Sequence, residues 1–275
     1  MARFRNSWIV GILMVAWGLF ALGLTGLCIV IAAPFMGGKR AFFSIGPRWA
    51  RHLFRLCGVP LRVRGWEALP EDIRAERRPV IFMSNHESNL DPPVLIAAIP
   101  IPAVYISKKE LKWVPLVGWA AQLGGVIFID RSNRERAIHS IQKAAQEIRD
   151  GKSVVIFPEG TRTRTGALGR FKKGGFAMAL DAGVPIVPLA TVGGFTVMPP
   201  GTIRIHEGTY TLAFGSPVDP AEFSDRDALM HEVETRIARL VQEVRSQDAE
   251  APSKRSEADP LQGDANALGV GVPDR

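Results

Sequence analysis

With 275 residues, 47% of them hydrophobic and 22% charged, the chain can bury a sizeable core in one domain and still carry extra segments at its ends. A formal net charge of +7 points to an anionic partner. Basic residues are not interleaved with aromatics and no nucleic-acid fold signature occurs, which excludes nucleic acid and leaves lipid headgroups and phosphates. Two cysteines, Cys28 and Cys57, make neither a disulfide framework nor a metal-ligand spacing, so the main domain is expected in a reducing compartment with no bound metal.

Residues 8–33 carry no charge. At about 1.5 Å per residue they outreach a hydrocarbon core of about 30 Å. Pro34 follows Ala32-Ala33, where a signal peptide would need cleavage, so the run is read as a retained anchor. It either crosses once or enters and leaves one leaflet as a bent hairpin. Arg3 and Arg5 precede it while Lys39, Arg40, Arg48, Arg51 and Arg55 follow, and this excess places the main domain on the cytoplasmic side of the inner membrane. Over residues 41–57, Phe42, Ile45, Trp49, Leu53 and Leu56 recur at helical spacing opposite Arg48, Arg51, His52 and Arg55. This predicts a basic amphipathic helix in the headgroup layer, beginning near Pro47.

Beyond it, residues 61–64 alternate like a strand, and the apolar run 79–83 delivers the chain to Ser84-Asn85-His86. Asp91-Pro92-Pro93 predicts an N-cap and first helical turn. Further strands are predicted at 104–107, 125–129, 154–157, 186–190, 202–206 and 210–214. Helices are predicted from a Ser132 cap to 149, over 174–181, and over 226–246. Interleaved strands and helices argue for an α/β fold whose mixed, largely parallel sheet is flanked by helices and preceded by the anchor. The expected division is 1–58 for anchor and interfacial helix, 59–246 for the α/β domain, and 247–275 for a polar disordered tail.

Four residues separate His86 from Asp91. Moving an acyl group onto an alcohol needs a base to take the hydroxyl proton, and imidazole suits that task. A carboxylate on the other ring nitrogen fixes its tautomer. Taken alone, the same spacing is also that of a polar loop followed by a helix cap. Two rival motifs fail: Leu90 stands where a zincin helix needs its second His, and Gln146 where a P-loop before Gly151-Lys152-Ser153 needs its first Gly. A lipid hydrolase would carry a Gly-x-Ser-x-Gly elbow, which is missing. Phe157-Pro158-Glu159-Gly160-Thr161-Arg162 leaves a strand into a turn with N–H groups beside guanidinium, suited to phosphate. Arg131 ends the run 125–131 just before a helix start, another anion-favouring place.

In order, the blocks 85–91, 125–131, 157–162 and 184–188 resemble the glycerophospholipid acyltransferase family, in particular bacterial lysophosphatidate acyltransferases, over roughly residues 40–245. The resemblance implies His86 as general base and Asp91 as its orienting carboxylate. It implies Arg131, Glu159, Gly160, Thr161 and Arg162 as the site for the acceptor's phosphate and glycerol, and the block 184–188 as shaping the acyl or donor site. Lys108 or Lys109 would face the thioester oxyanion or donor phosphates. The implied reaction takes an acyl group from acyl-CoA or acyl-carrier protein, used as substrate with no bound cofactor, to the sn-2 hydroxyl of 1-acylglycerol 3-phosphate, giving phosphatidate. The expected partners are therefore membrane lipids, the lysophospholipid substrate and acyl-carrier protein, with no nucleic acid. Glu87 departs from the neutral Gln common in the family. Other acceptors stay open at this stage: glycerol 3-phosphate, another lysophospholipid or lyso-ornithine lipid. So does a non-catalytic lipid-binding module.

Overall fold

A computed structural model describes residues 8–130 and 132–250. Its strands are β1 (Leu61–Arg64), β2 (Ile81–Ser84), β3 (Ala103–Lys108), β4 (Ile127–Ile129), β5 (Ser153–Ile156), β6 (Ile186–Val192) and β7 (Tyr210–Phe214). Its helices are α1 (Trp8–Met36), α2 (Gly38–Cys57), α3 (Glu71–Arg74), α4 (Asp91–Ala98), α5 (Val117–Leu123), α6 (Arg134–Arg149), α7 (Gly174–Ala182), α8 (Gly194–Val197) and α9 (Arg226–Glu250). The strands form one sheet in the order β1-β7-β6-β2-β5-β3-β4. From β6 to β4 every pairing is parallel. β7 runs antiparallel to β6, and β1 follows β7. The sheet is thus mixed and mostly parallel, as the alternation of elements predicts.

Successive residues of a strand face opposite sides, so the apolar run of β2 divides between two cores. Ile81 and Met83 join Phe176, Ala179, Ile148 and Ile237 beneath α6, α7 and α9. Phe82 joins Phe54, Val94, Leu95 and Leu212 beneath α2 and α4. Every residue of β2 is buried. That burial holds the strand leading to His86 between the two cores.

α1 and α2 form a helical hairpin. The turn is made at Gly37, whose φ of 83° suits glycine. α1 lies along the domain: a side chain at Gly11 would strike the Ile203 carbonyl, and one at Gly26 the backbone of Leu116. Its other flank is bare, with Leu13, Leu19, Phe20 and Ile31 exposed and Phe35 88% exposed. So wide an apolar surface on a helix long enough to cross a bilayer marks membrane association. Arg3 and Arg5 lie outside the described residues. Cys28 is exposed on α1, Cys57 is buried, and both are free thiols.

Several expectations are corrected. α2 starts at Gly38 and carries Pro47 in its interior, because contacts with α1 and α5 through Ala41, Phe42 and Ile45 hold the turns before the proline. The predicted apolar stripe of α2 is the seam with α1, where Trp49 and Leu53 lie beside Met14. The face of α2 formed by Ala50, Phe54 and Cys57 enters the domain core, while Arg48, His52 and Arg55 stay exposed. Residues 202–206 form no strand: Gly201 turns the chain, Thr202 N–H bonds Pro199 O at 3.2 Å, and His206 N–H bonds Val197 O at 2.8 Å. The cap of α6 is Asn133, which accepts from Arg136 N–H, while Ser132 N–H is taken by Asp130. The last helix runs to Glu250, with Asp248 bound to Arg64 at 2.8 Å and to the Thr211 hydroxyl at 2.9 Å. Of the predicted tail, residues 251–275 lie outside the described residues.

Candidate active site

Parallel strands bring their carboxyl ends to one edge of a sheet, where α/β proteins place ligands. His86 follows the end of β2 there, and Glu159 follows the neighbouring β5. Asp91 opens α4, so the peptide between His86 and the helix must turn sharply. Asp91 organises that turn. Its Oδ2 accepts from His86 Nδ1 at 2.6 Å, from Glu87 N–H at 2.6 Å and from Ser88 N–H at 2.8 Å. Its Oδ1 accepts from the hydroxyl of Tyr210 on β7. Asp91 is 0% exposed, and a carboxylate tolerates that burial only when donors replace its water.

With Nδ1 turned to Asp91, the imidazole donates from that nitrogen and keeps Nε2 as an acceptor. The ring stacks on Phe157 with centroids 4.1 Å apart. Phe157 in turn stacks with Tyr105, whose hydroxyl donates to Pro92 O at 2.7 Å. The His86 side chain keeps 16% of its surface open, enough for a substrate atom to reach the ring edge. It borders a crevice also lined by Glu87, Glu159, Thr163, Leu168 and Arg245.

The backbone of His86 is held from the Glu159 loop. Its N–H donates to Glu159 Oε1 at 2.7 Å, and its carbonyl accepts from Thr163 N–H at 2.8 Å. Glu159 Oε2 accepts from Gly169 N–H at 2.8 Å. Both oxygens of this buried carboxylate therefore serve the protein's own backbone, and the side chain braces the two loops. Burial pushes the Glu159 carboxyl up, against the pull of the two N–H donors. Gly160, at φ 70°, turns the chain outward. Beyond it Thr161, Arg162, Arg164 and Arg170 line an open cleft that Glu159 also borders. Block and cleft thus stand beside His86.

The lysines are placed differently. Lys109 Nζ bonds Asp130 at 2.8 Å, and that ammonium, with Ser132, holds the Asp130 carboxyl well below the usual carboxylate range. Lys108 is exposed at the carboxyl end of β3. Arg131 lies outside the described residues. The block 184–188 leads into β6 at the end remote from His86: Ile186 pairs with Ile81, at the start of β2. Val184, Ile186 and Val187 are buried, so the block is core rather than a wall of the site.

Tyr210 and Gly194 contribute without any local signal in the sequence. Tyr210 is fully buried, and burial followed by the nearby Asp91 charge pushes its phenol well up, which keeps it a donor. Gly194 permits its approach: a Cβ there would lie 2.3 Å from the Tyr210 hydroxyl. Asn85 ties the loop to the end of β6, donating to Thr191 O at 2.8 Å and accepting from Thr191 N–H at 2.7 Å. Glu87, 3% exposed, accepts from Phe195 N–H at 3.2 Å and from Arg245 on α9 at 2.7 Å. No group of three or more His, Cys, Asp or Glu suited to a metal ion occurs among the described residues.

Residues 60–192 match the family model described as Acyltransferase. The chain is 32% identical to the 1-acyl-sn-glycerol-3-phosphate acyltransferase of Pseudomonas aeruginosa, across 84% of this chain and 91% of that protein. It is 33% identical to the Haemophilus influenzae protein of the same description, across 73% of this chain and 84% of the other. The crystal structure of the 1-acyl-sn-glycerophosphate acyltransferase of Thermotoga maritima superposes with a TM-score of 0.76 at 25% identity, covering 90% of this chain and 98% of that one. On these matches the chain belongs to the 1-acyl-sn-glycerol-3-phosphate acyltransferase family.

Proposed function

We propose that this enzyme transfers a fatty acyl group from the thioester of acyl-CoA or acyl-carrier protein to the sn-2 hydroxyl of 1-acylglycerol 3-phosphate, forming phosphatidate, with His86 as the base. The observation that carries the reading is the His86 imidazole: its Nδ1 is held by buried Asp91, and it borders a crevice that shares Glu159, Thr163 and Leu168 with the arginine-lined cleft. The acceptor hydroxyl gives its proton to Nε2 as its oxygen attacks the thioester carbonyl carbon. The carbon–oxygen bond forms, the carbonyl oxygen takes the negative charge, and the carbon–sulfur bond then breaks. The departing thiolate recovers the proton from Nε2. Asp91 stays ionised and stabilises the transient imidazolium. The substrate supplies the nucleophile, so no acyl-enzyme forms.

Thr161 and Arg162 hold the acceptor's phosphate, with Gly160 giving the turn that exposes them. Glu159 acts indirectly, by bracing the loop. Because Lys109 is committed to Asp130, Lys108 is the lysine of the pair offered to donor phosphates. The exposed flank of α1, one continuous helix with no bend within residues 8–33, meets lipid, and the basic excess after it sets the catalytic body on the cytoplasmic face of the inner membrane. In this division residues 1–58 serve as anchor and interfacial helix, and the chemistry belongs to residues 59–246.

His86→Ala is expected to cut turnover by about 10²–10⁴-fold with the fold retained, measured as thioester consumption by purified enzyme; near-normal turnover in folded protein refutes the base assignment. Arg162→Ala should raise the acceptor KM by roughly tenfold or more while altering kcat less, and an unmoved KM rejects the phosphate role. Offered a panel of acceptors with one labelled donor, the enzyme should turn over 1-acylglycerol 3-phosphate fastest. Faster acylation of glycerol 3-phosphate or a lyso-aminolipid would reassign the acceptor.

A further inference from the structure

Three carboxylates gather around one imidazole. Asp91 bonds its Nδ1, Glu159 bonds its backbone N–H, and the buried Glu87 is its chain neighbour. A carboxylate left unpaired beside an imidazole favours the imidazolium, which cannot act as a base. The cation bonded to this cluster comes from the far end of the chain. Arg245 Nη2 lies 2.7 Å from Glu87 Oε1 and also donates to Gly166 O at 2.7 Å. The other Glu87 oxygen accepts from Phe195 N–H, and the Phe195 ring packs over Gly166, where an added Cβ would lie 3.2 Å away. One guanidinium thus joins the His86 loop to the 163–168 arm, and Glu87 carries the link on to Phe195 in α8.

We propose that Arg245 is a positioning residue for acyl transfer: it neutralises the Glu87 carboxylate beside His86 and clamps the His86 loop to the 163–168 arm. The inference rests on the base role proposed for His86. The helix that carries Arg245 is well anchored. Val244 and Val241 are buried in the core, Asp248 holds Arg64, and Asp227 bonds Lys173 at 2.8 Å. The guanidinium therefore arrives from a fixed support. Its side chain is 46% exposed against 3% for Glu87, which lets the cation stay hydrated while it serves a dry carboxylate. Burial pushes the Glu87 carboxyl up, while Phe195 N–H and Arg245 pull it down. The titratable groups acting on Glu87 are Arg245, Asp91 and, across the site, Tyr210; His86 is its chain neighbour and lies against Glu159.

The test is a two-residue cycle on purified full-length enzyme in lipid-detergent micelles, read as kcat/KM against pH. Arg245→Ala should lower kcat/KM by about tenfold or more, because the unpaired carboxylate remains beside the base. The acid limb of its profile should move to higher pH by roughly half a unit or more, since Glu87 then competes for a proton and its charge favours the imidazolium. Made on top of Glu87→Gln, the same substitution should cost less than about threefold and leave the limb in place. Arg245→Met, which retains the packing of the stem, should behave like Arg245→Ala and stands in for it if that variant does not fold. An equal loss in both backgrounds, or an unmoved limb in Arg245→Ala, overturns the proposal, because a purely structural clamp predicts those results. His86→Ala is assayed alongside. If it is inactive, a flat cycle removes only the role of Arg245; if it is active, the base assignment falls first.

Discussion

A carboxylate with no access to water must be surrounded by donors, and Asp91 dictates much of this molecule for that reason. Two of its donors are backbone N–H groups one turn upstream, which forces residues 86–91 into a tight loop leading into α4. A third is the His86 ring, which is thereby aimed and set in one tautomer. The fourth is the phenol of Tyr210, from the antiparallel part of the sheet. Arginine-lined cleft, ring stack and loop braces are arranged around an imidazole whose direction is set by that single side chain.

The sheet order explains how pieces far apart in the chain reach one place. β2 sits between β5 and β6. The turn after β5 supplies Glu159 and Thr163 to the backbone of His86, and the end of β6 supplies Thr191 to Asn85. Each contact satisfies a backbone or amide group that burial would otherwise leave unpaired. The loop is consequently bonded on both sides while one ring edge stays open, a combination that suits a base which must be rigid and still meet a lipid hydroxyl. The bare flank of α1 marks association with the membrane, the layer in which acyl chains reside.

What the sequence discloses follows from the range of the forces involved. Periodicity and apolar runs report local burial, so all seven strands and the long helices are readable with boundaries shifted by a few residues. The strand expected at 202–206 fails because a turn at Gly201 and a bond to Val197 take its backbone groups. The helix start expected at Pro47 fails because contacts with α1 and α5 outweigh a local breaker. Within the site, His86 and Asp91 stand out because their partnership spans a single loop. Tyr210 and Arg245 do not: they sit at unremarkable strand and helix positions, 119 and 158 residues from their partners. Only the three-dimensional arrangement gives them a reason to be there.

The central claim is that the Asp91 carboxylate, and not merely a hydrogen-bonding group of its shape, orients the base. Asp91→Asn tests it directly. An amide there presents the wrong hydrogen-bond polarity to Nδ1, and the account predicts a loss of kcat on the order of 10⁴-fold with donor and acceptor KM little changed, in protein that melts above the assay temperature. Turnover within about tenfold of the parent enzyme, well short of the loss expected for a mis-set tautomer, would contradict the account.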